Sequence, residues 1–126
     1  MGTVRMDQDR IWEQVTKQVH ACADSGDEPA GAVLARGDEV VAAGRNRVSE
    51  LNDPIAVAEM DCIRQAGRRS DQAELILYSS RLPSMLVAGT LLQFSIGGLC
   101  VNGSDEDNDA VDLLRSKGVA VTFTGA

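Results

Sequence analysis

A β-hairpin signal followed by alternating strand and helix signals constrains the fold of this chain more than any other feature. Two β-rich runs within residues 30–44 flank Gly37 and Asp38, which are turn-forming residues. Residues 74–80 then form a short, largely apolar run that is typical of a strand buried on both faces. Further strand signals alternate with helical spacing of apolar residues. This alternation predicts a mixed sheet with helices on both of its faces.

The predicted order is α-β-β-α-β-α-β-α-β in a single domain, residues 1–126. Helices are predicted at 7–26, 55–66, 83–94 and 110–118, and strands within 30–44 and at 74–80, 96–103 and 119–125. Asp7 or Asp9 is expected to cap the first helix, and Gly67 to end the second. The acidic run 104–109 is expected to supply helix caps, because it lacks the glycine and distal glutamate of a calcium loop.

Composition and charge narrow the class of protein. The chain is 44% hydrophobic but 3% aromatic, so its core must be aliphatic. Its net charge is −7 and no basic stripe is interleaved with aromatic residues, which argues against a nucleic-acid partner. The one dense basic run, residues 64–70, is expected to solvate the end of a helix.

The sequence also indicates a location. It contains no run long enough to span a membrane, and its first residues lack the apolar core of a signal peptide. Cys22, Cys62 and Cys100 are odd in number and widely spaced, which favours reduced thiols in a cytoplasmic protein. Cys62 is expected to be a small buried hydrophobe, and His20, the one histidine, a surface or core residue.

Several local patterns occur in one order along residues 12–124, and together they resemble the cytidine/cytosine deaminase superfamily. The similarity is strongest to the branch of free-base cytosine, guanine and tRNA-adenosine deaminases. The patterns are PAGAVL, GRNR, NDPIAVAEM, LYSS with the following LP, AGTLLQFSIG and AVDLLRSKGVAV. The resemblance implies a three-layer α/β/α cytidine-deaminase-like fold with a five-stranded mixed sheet, and a homodimer.

The resemblance also places a metal site, and this chain departs from it there. The family holds zinc with the histidine of a His-Ala-Glu motif and the two cysteines of a Pro-Cys-x-x-Cys motif. The histidine position is Val57 here, and the cysteine positions are Ser84 and Val87. Valine has no lone pair to offer a metal. We therefore expect no metal and no other cofactor, and no zinc-dependent hydrolytic deamination.

Three substrate-handling positions of the family are retained. Its proton-shuttle glutamate matches Glu59, its base-binding asparagine matches Asn46, and its substrate-binding backbone amide belongs to Ala58. Glu59 has two interpretations that the sequence leaves open. It either caps a helix N-terminus or is a desolvated general acid/base between Val57 and Val87.

Three functions follow as hypotheses. The first is a metal-free enzyme, repurposed for specialised biosynthesis, in which Glu59 acts on a small heterocyclic or imine-bearing molecule. Asn46, the amide of Ala58, Ser84 and the two valines would then line the ligand site. The second is a non-catalytic binding or regulatory subunit, with a zinc-bearing deaminase paralogue as its partner. The third is residual deamination of cytosine or another nucleobase without a metal.

Overall fold

The computed structural model describes the backbone of residues 2–124 and the side chains of residues 8–124. The helices are α1 (Gly2–Ala21), α2 (Val48–Leu51), α3 (Ala58–Ala66), α4 (Met85–Gln93) and α5 (Asp109–Ser116). The strands are β1 (Gly31–Arg36), β2 (Glu39–Arg45), β3 (Leu75–Ser79), β4 (Gly98–Val101) and β5 (Ala120–Phe123). Short 3₁₀ turns occur at Cys22–Asp24 and Gln72–Glu74.

The strands form one mixed sheet in the order β2-β1-β3-β4-β5. β1 pairs antiparallel with both β2 and β3, whereas β3, β4 and β5 are parallel. The centre of the sheet is therefore β3, and four of its five residues are buried. The five-stranded mixed sheet and the hairpin around Gly37 are confirmed.

Successive strand residues point to opposite sides, so this sheet has apolar side chains on both of its faces. Helices cover both faces. On one face α1 packs on a small cluster, which we call the α1 cluster: Ile11, Val15, Val33, Ala35 and Tyr78. The other face carries a larger cluster, the main core, to which α3, α4 and α5 contribute. Leu34 and Leu77 belong to the main core, and each is adjacent in sequence to a member of the α1 cluster. The three-layer α/β/α architecture is thus confirmed.

The first helix begins earlier than the sequence predicts. Its backbone is already helical at Gly2, so Asp9 lies within α1 and does not cap it. Asp7 lies outside the residues whose side chains are described. Within residues 2–124, none of the helices has both the length and the apolar character that crossing a bilayer requires.

The segment between β2 and α3 also differs from the prediction. The helix expected from residue 55 begins at Ala58, because Asp53 Oδ1 accepts a hydrogen bond from Ile55 N at 2.9 Å and holds a turn there. The unpredicted helix α2 lies just before this turn. Asp27, from before β1, accepts hydrogen bonds from the backbone amides of Ser49 and Glu50 in the first turn of α2. This satisfies amides that a short helix leaves without partners.

A glycine sets the position of α3 on the sheet. A Cβ atom built on Gly44 of β2 would overlap the backbone amide of Cys62 and lie 2.8 Å from the carbonyl oxygen of Ala58. The backbones of β2 and α3 therefore approach more closely than a side chain at residue 44 would allow. This contact fixes the first turns of α3, where the retained glutamate lies.

Candidate active site

The N-termini of α3 and α4 hold most of the residues that the sequence singles out. Val57 is the N-cap residue of α3, and Ala58 and Glu59 are the first two residues of that helix. Ser84 is the N-cap residue of α4, and its Oγ accepts a hydrogen bond from Val87 N at 3.3 Å. Val57 has no hydrogen-bonding side chain, so α3 begins without a side-chain cap. Its first amides are left for other acceptors.

Glu59 is a buried carboxyl group. The residue is 5% exposed, and its Oε2 lies 3.2 Å from Ser79 Oγ, at the end of β3. This contact ties the start of α3 to the strand that leads into α4. Burial raises the pKa of Glu59. Hydrogen bonds from its own backbone amide and from Ser79, and the positive charge of Arg81, act in the opposite direction without overcoming it.

Ser79 has more acceptors in reach than one hydroxyl proton can serve. Its Oγ lies 3.0 Å from the carbonyl oxygen of Arg81 and 3.2 Å from Glu59 Oε2. It also accepts a hydrogen bond from Arg81 N at 3.3 Å. If Glu59 is ionised, one of the two acceptors goes without the serine proton. If Glu59 carries a proton, it can donate to Ser79 Oγ while Ser79 donates to Arg81 O. If Glu59 is ionised, Ser79 can donate to Glu59 Oε2 instead, and the carbonyl oxygen of Arg81, an exposed residue, is left to water.

The sequence reasoning missed Ser79. Its signal is present, since a hydroxyl residue ends a buried strand just before a turn. Its importance comes from a contact across 20 residues, which no local pattern reveals.

Asn46 is buried but is engaged in holding the backbone. Its Nδ2 donates to the carbonyl oxygen of Glu28, and its Oδ1 accepts from Val48 N, both at 3.1 Å. The side chain therefore connects the segment before β1 to the start of α2. A carboxamide has two donor hydrogens and two acceptor lone pairs, so one of each remains for a ligand.

The other predicted residues divide between the core and the surface. Ala58 and Val87 are each 1% exposed and belong to the main core, against which Val57 packs. As the first residue of α3, Ala58 has an amide without an intrahelical partner. Ser84 is exposed, and its hydroxyl proton is free to donate. The structure thus brings Ala58, Val57 and Val87 to one cluster and joins Glu59 to Ser79 rather than to Asn46.

The donor atoms at these helix ends do not fit a zinc ion. Val57 and Val87 present hydrocarbon, and a lone serine hydroxyl is a poor zinc ligand. Among residues whose side chains are described, no group of three or more His, Cys, Asp or Glu could hold a metal ion. His20 is exposed on α1, far along the chain from both helix ends.

Cys62 behaves as the buried hydrophobe that the sequence predicts. It is 0% exposed, and its Sγ donates to the carbonyl oxygen of Ala42 at 3.6 Å. Burial raises the pKa of its thiol to about 12, so the reactive thiolate is scarce near neutrality.

Comparisons with known proteins agree with this fold. The family model of the MafB19-like deaminases matches residues 6–121. A tRNA-specific adenosine deaminase of Buchnera aphidicola subsp. Schizaphis graminum is 28% identical over 108 residues, which are 82% of this chain and 72% of the relative. The chloroplastic tRNA(adenine(34)) deaminase of Arabidopsis thaliana is 40% identical over 80 residues, 61% of this chain but 6% of that much longer relative.

A solved structure from a study of A-to-I editing by tRNA:A34 deaminases has the same fold. It superposes with a TM-score of 0.77 at 23% identity, covering 94% of this chain and 98% of the other. The family match and the shared architecture both agree with the cytidine deaminase-like superfamily. This chain belongs to the MafB19-like deaminase family.

Proposed function

We propose that this chain is a metal-independent enzyme in which Glu59 transfers a proton to or from a small heterocyclic or imine-bearing molecule. The reaction class is isomerisation, cyclisation, dehydration or tautomerisation, in place of zinc-dependent hydrolysis. The observation that carries the proposal is the buried Glu59 carboxyl, whose pKa is raised by burial and whose Oε2 lies 3.2 Å from Ser79 Oγ. A buried carboxyl with a raised pKa is better suited to act as a general acid than an exposed one.

The proton transfer uses Ser79 as a switchable partner. Neutral Glu59 donates its proton to a ring or imine nitrogen and becomes a carboxylate. The Ser79 hydroxyl then turns from the carbonyl oxygen of Arg81 toward Glu59 Oε2, which lies 3.2 Å away. Ser79 and the charge of Arg81 both stabilise the ionised form. The carboxylate can then take a proton back from another position of the same molecule, which completes an isomerisation.

The remaining residues of the site orient the ligand. The spare donor and acceptor of Asn46, the amide of Ala58 and the hydroxyl proton of Ser84 suit a flat molecule with polar edges. The relatives named above are, by name, a tRNA-specific adenosine deaminase and a tRNA(adenine(34)) deaminase, which supports a nitrogen heterocycle as the ligand. The net charge of −7 favours a small molecule over a nucleic acid, and the free, buried thiols of Cys22 and Cys62 support a cytoplasmic location.

The experiment is a turnover screen over nucleobases and cyclic imines, with wild type, Glu59→Gln and Glu74→Gln compared. Glu74 is exposed in the 3₁₀ turn before β3, so its variant controls for loss of one carboxylate. Glu59→Gln should lower turnover of any active compound about a hundredfold, which is the scale of a lost proton-transfer group. Glu74→Gln should leave turnover unchanged. Equal turnover in wild type and Glu59→Gln would remove Glu59 from the mechanism.

A second candidate function is a non-catalytic binding or regulatory subunit. It is favoured by the apolar side chains that the start of α4 leaves exposed: Met85 is 54% and Leu86 43% exposed. Such side chains are typical of a surface that another chain covers. A second copy of this chain is the simplest occupant, and a zinc-bearing deaminase paralogue is the alternative. If the protein is a non-catalytic subunit, the turnover screen will find no active compound, and the role of Glu59 is to stabilise the turn around Ser79.

A further inference from the structure

A cavity lies at the opposite end of α3 from Glu59. It has a volume of about 430 Å³, within the usual range for small-molecule sites. Residue 66, at its edge, lies seven residues beyond Glu59, which is about 10 Å along a helix axis. Its lining combines apolar, aromatic, cationic and amide side chains, which come from β1, α3, the 3₁₀ turn before β3, β3 itself and the segment after α4.

The floor of this cavity is the main core itself. Leu34, Leu75 and Ile96 line it, and they are 1%, 1% and 4% exposed. Phe94, at the C-terminal end of α4, lines the same cavity and is half exposed. A flat apolar group entering the cavity would cover both the aliphatic floor and the face or edge of the phenyl ring.

Three arginines line the cavity beside this floor: Arg64, Arg68 and Arg69. Arg69 is paired in a bidentate manner with Asp71, at 2.8 and 2.9 Å. Arg64 Nη1 lies 3.5 Å from Asp53 Oδ2. Arg68 forms no ion pair with any residue whose side chain the structure describes.

Arginines outnumber the carboxylates that face them at this cavity, although the chain is acidic and Glu39 also acts on Arg69. Asp71 also pairs with Arg36 at 3.2 Å, so two guanidinium groups share its single negative charge. Arg68 adds a further positive charge, and an isolated guanidinium presents several donors to a carboxylate or phosphate. The basic run of the sequence thus does more than solvate a helix end, because it lines a concave surface with an apolar floor.

The walls of the cavity are held in place by backbone contacts. Gly97 N donates to the carbonyl oxygen of Gln72 at 3.2 Å, and a Cβ atom at residue 97 would overlap the carbonyl of Ala73. The turn after α4 is therefore pinned to the 3₁₀ turn before β3. On the other side, Gly67 ends α3 with a φ of +68°, and its amide donates to the carbonyl oxygens of Ile63 and Arg64.

We propose that this cavity binds a small organic anion with a flat apolar body. The apolar body lies on the aliphatic floor beside Phe94, and its carboxylate or phosphate faces Arg68. The geometry of guanidinium and anion allows two parallel hydrogen bonds, which gives orientation as well as affinity. The inference does not depend on the proposed role of Glu59, because it concerns the other end of α3.

The test is a titration of the full chain, followed through backbone amide chemical shifts by NMR. The probes are phenyl phosphate and benzoate, with benzyl alcohol as the uncharged control and inorganic phosphate as the control without a ring. The aromatic anions should shift the amides of Gly67, Arg68 and Phe94 and leave Glu59 unmoved. Tighter binding of phenyl phosphate or of benzoate identifies the preferred anionic group.

Two exposed cations provide matched variants. Arg68→Gln should weaken binding of the aromatic anions about fivefold, the upper end for an exposed ionic contact. Lys17→Gln removes the same charge from the exposed side of α1 and should leave the affinity unchanged. Equal affinity in Arg68→Gln and Lys17→Gln would overturn the proposal. It is also wrong if benzyl alcohol or inorganic phosphate binds as tightly as phenyl phosphate, or if the shifts occur at Met85 and Leu86 instead.

Discussion

Replacing Glu59 by glutamine tests whether its carboxyl group is held neutral in the folded protein. Glutamine has the shape of the protonated acid, and its amide can donate to Ser79 Oγ as the neutral carboxyl does. In wild type the surroundings raise the pKa of Glu59 in the folded state, so the folded chain binds that proton more tightly than the unfolded chain.

The sign of the pH dependence follows from this difference. The stability that the proton contributes is fully present below the unfolded pKa of a glutamate, which is about 4.3. It is lost as the pH rises through the raised, folded-state pKa. The glutamine variant has no such loss, because its amide does not titrate. Glu59→Gln should therefore be more stable than wild type at about pH 8, and the difference should vanish toward about pH 4.

The magnitude follows from burial. Each unit by which the folded pKa exceeds the unfolded pKa costs wild type about 1.4 kcal/mol at high pH. A buried polar group left without a partner costs about 1–3 kcal/mol, and a charged one costs more. Because Ser79 and its own backbone amide remain as donors and offset part of that cost, about 1–3 kcal/mol is the size expected for an ionised Glu59 at 5% exposure. For a chain of this length, 1 kcal/mol corresponds to about 3–6 °C in the melting temperature.

The assay is urea unfolding followed by far-ultraviolet circular dichroism from about pH 4 to about pH 8. Glu74→Gln is the control, because that carboxyl is exposed and its replacement removes the same charge from the surface. The reasoning is refuted if Glu59→Gln is less stable than wild type by the same amount at every pH. A deficit that is largest at about pH 8 and shrinks toward about pH 4 would instead identify Glu59 as an ionised group that stabilises the N-terminus of α3.

Three further predictions concern the metal, the assembly and the sheet contact. Elemental analysis of the purified chain should find no stoichiometric zinc, because Val57 and Val87 have no lone pairs, and one tightly bound zinc per chain would contradict this. Light scattering at micromolar concentration should give the mass of a homodimer, because α4 leaves apolar residues exposed, and the mass of a monomer would contradict this prediction. Gly44→Ala should destabilise the fold by about 1–3 kcal/mol, because its Cβ would overlap the backbone of α3. Gly89→Ala is the control, because nothing lies within 4 Å of a Cβ atom built on Gly89 and alanine favours the helix. Equal destabilisation by the two substitutions would argue against a close contact between β2 and α3.

The sequence predicts the architecture well because its information is local. The order of elements, the hairpin and the aliphatic core follow from spacing and turn residues, and the sheet confirms them. The errors lie where a distant group intervenes. Helix α2 depends on Asp27, which reaches it from 22 and 23 residues earlier in the chain. The start of α3 depends on the turn held by Asp53.

The candidate site is less predictable for the same reason. Glu59 can be identified through its match to a family position, but its partner Ser79 comes from another strand. Asn46, which the resemblance assigns to a ligand, uses half of its hydrogen-bonding capacity on the backbone of Glu28 and Val48. Periodicity and motifs cannot reveal how a side chain divides its donors and acceptors between its own fold and a ligand.

The arrangement of the two clusters decides what optical probes will report. The chain has one tryptophan, Trp12, and its ring packs edge-on against Tyr78 with centroids 5.5 Å apart, beside the α1 cluster. Glu59 and the arginine-lined cavity are on the main-core side of the sheet. Tryptophan emission therefore monitors the docking of α1, whereas circular dichroism sums over all helices and strands. If α1 detaches before the rest unfolds, the emission transition will precede the dichroism transition, and a single-probe melt would misstate the stability of the site.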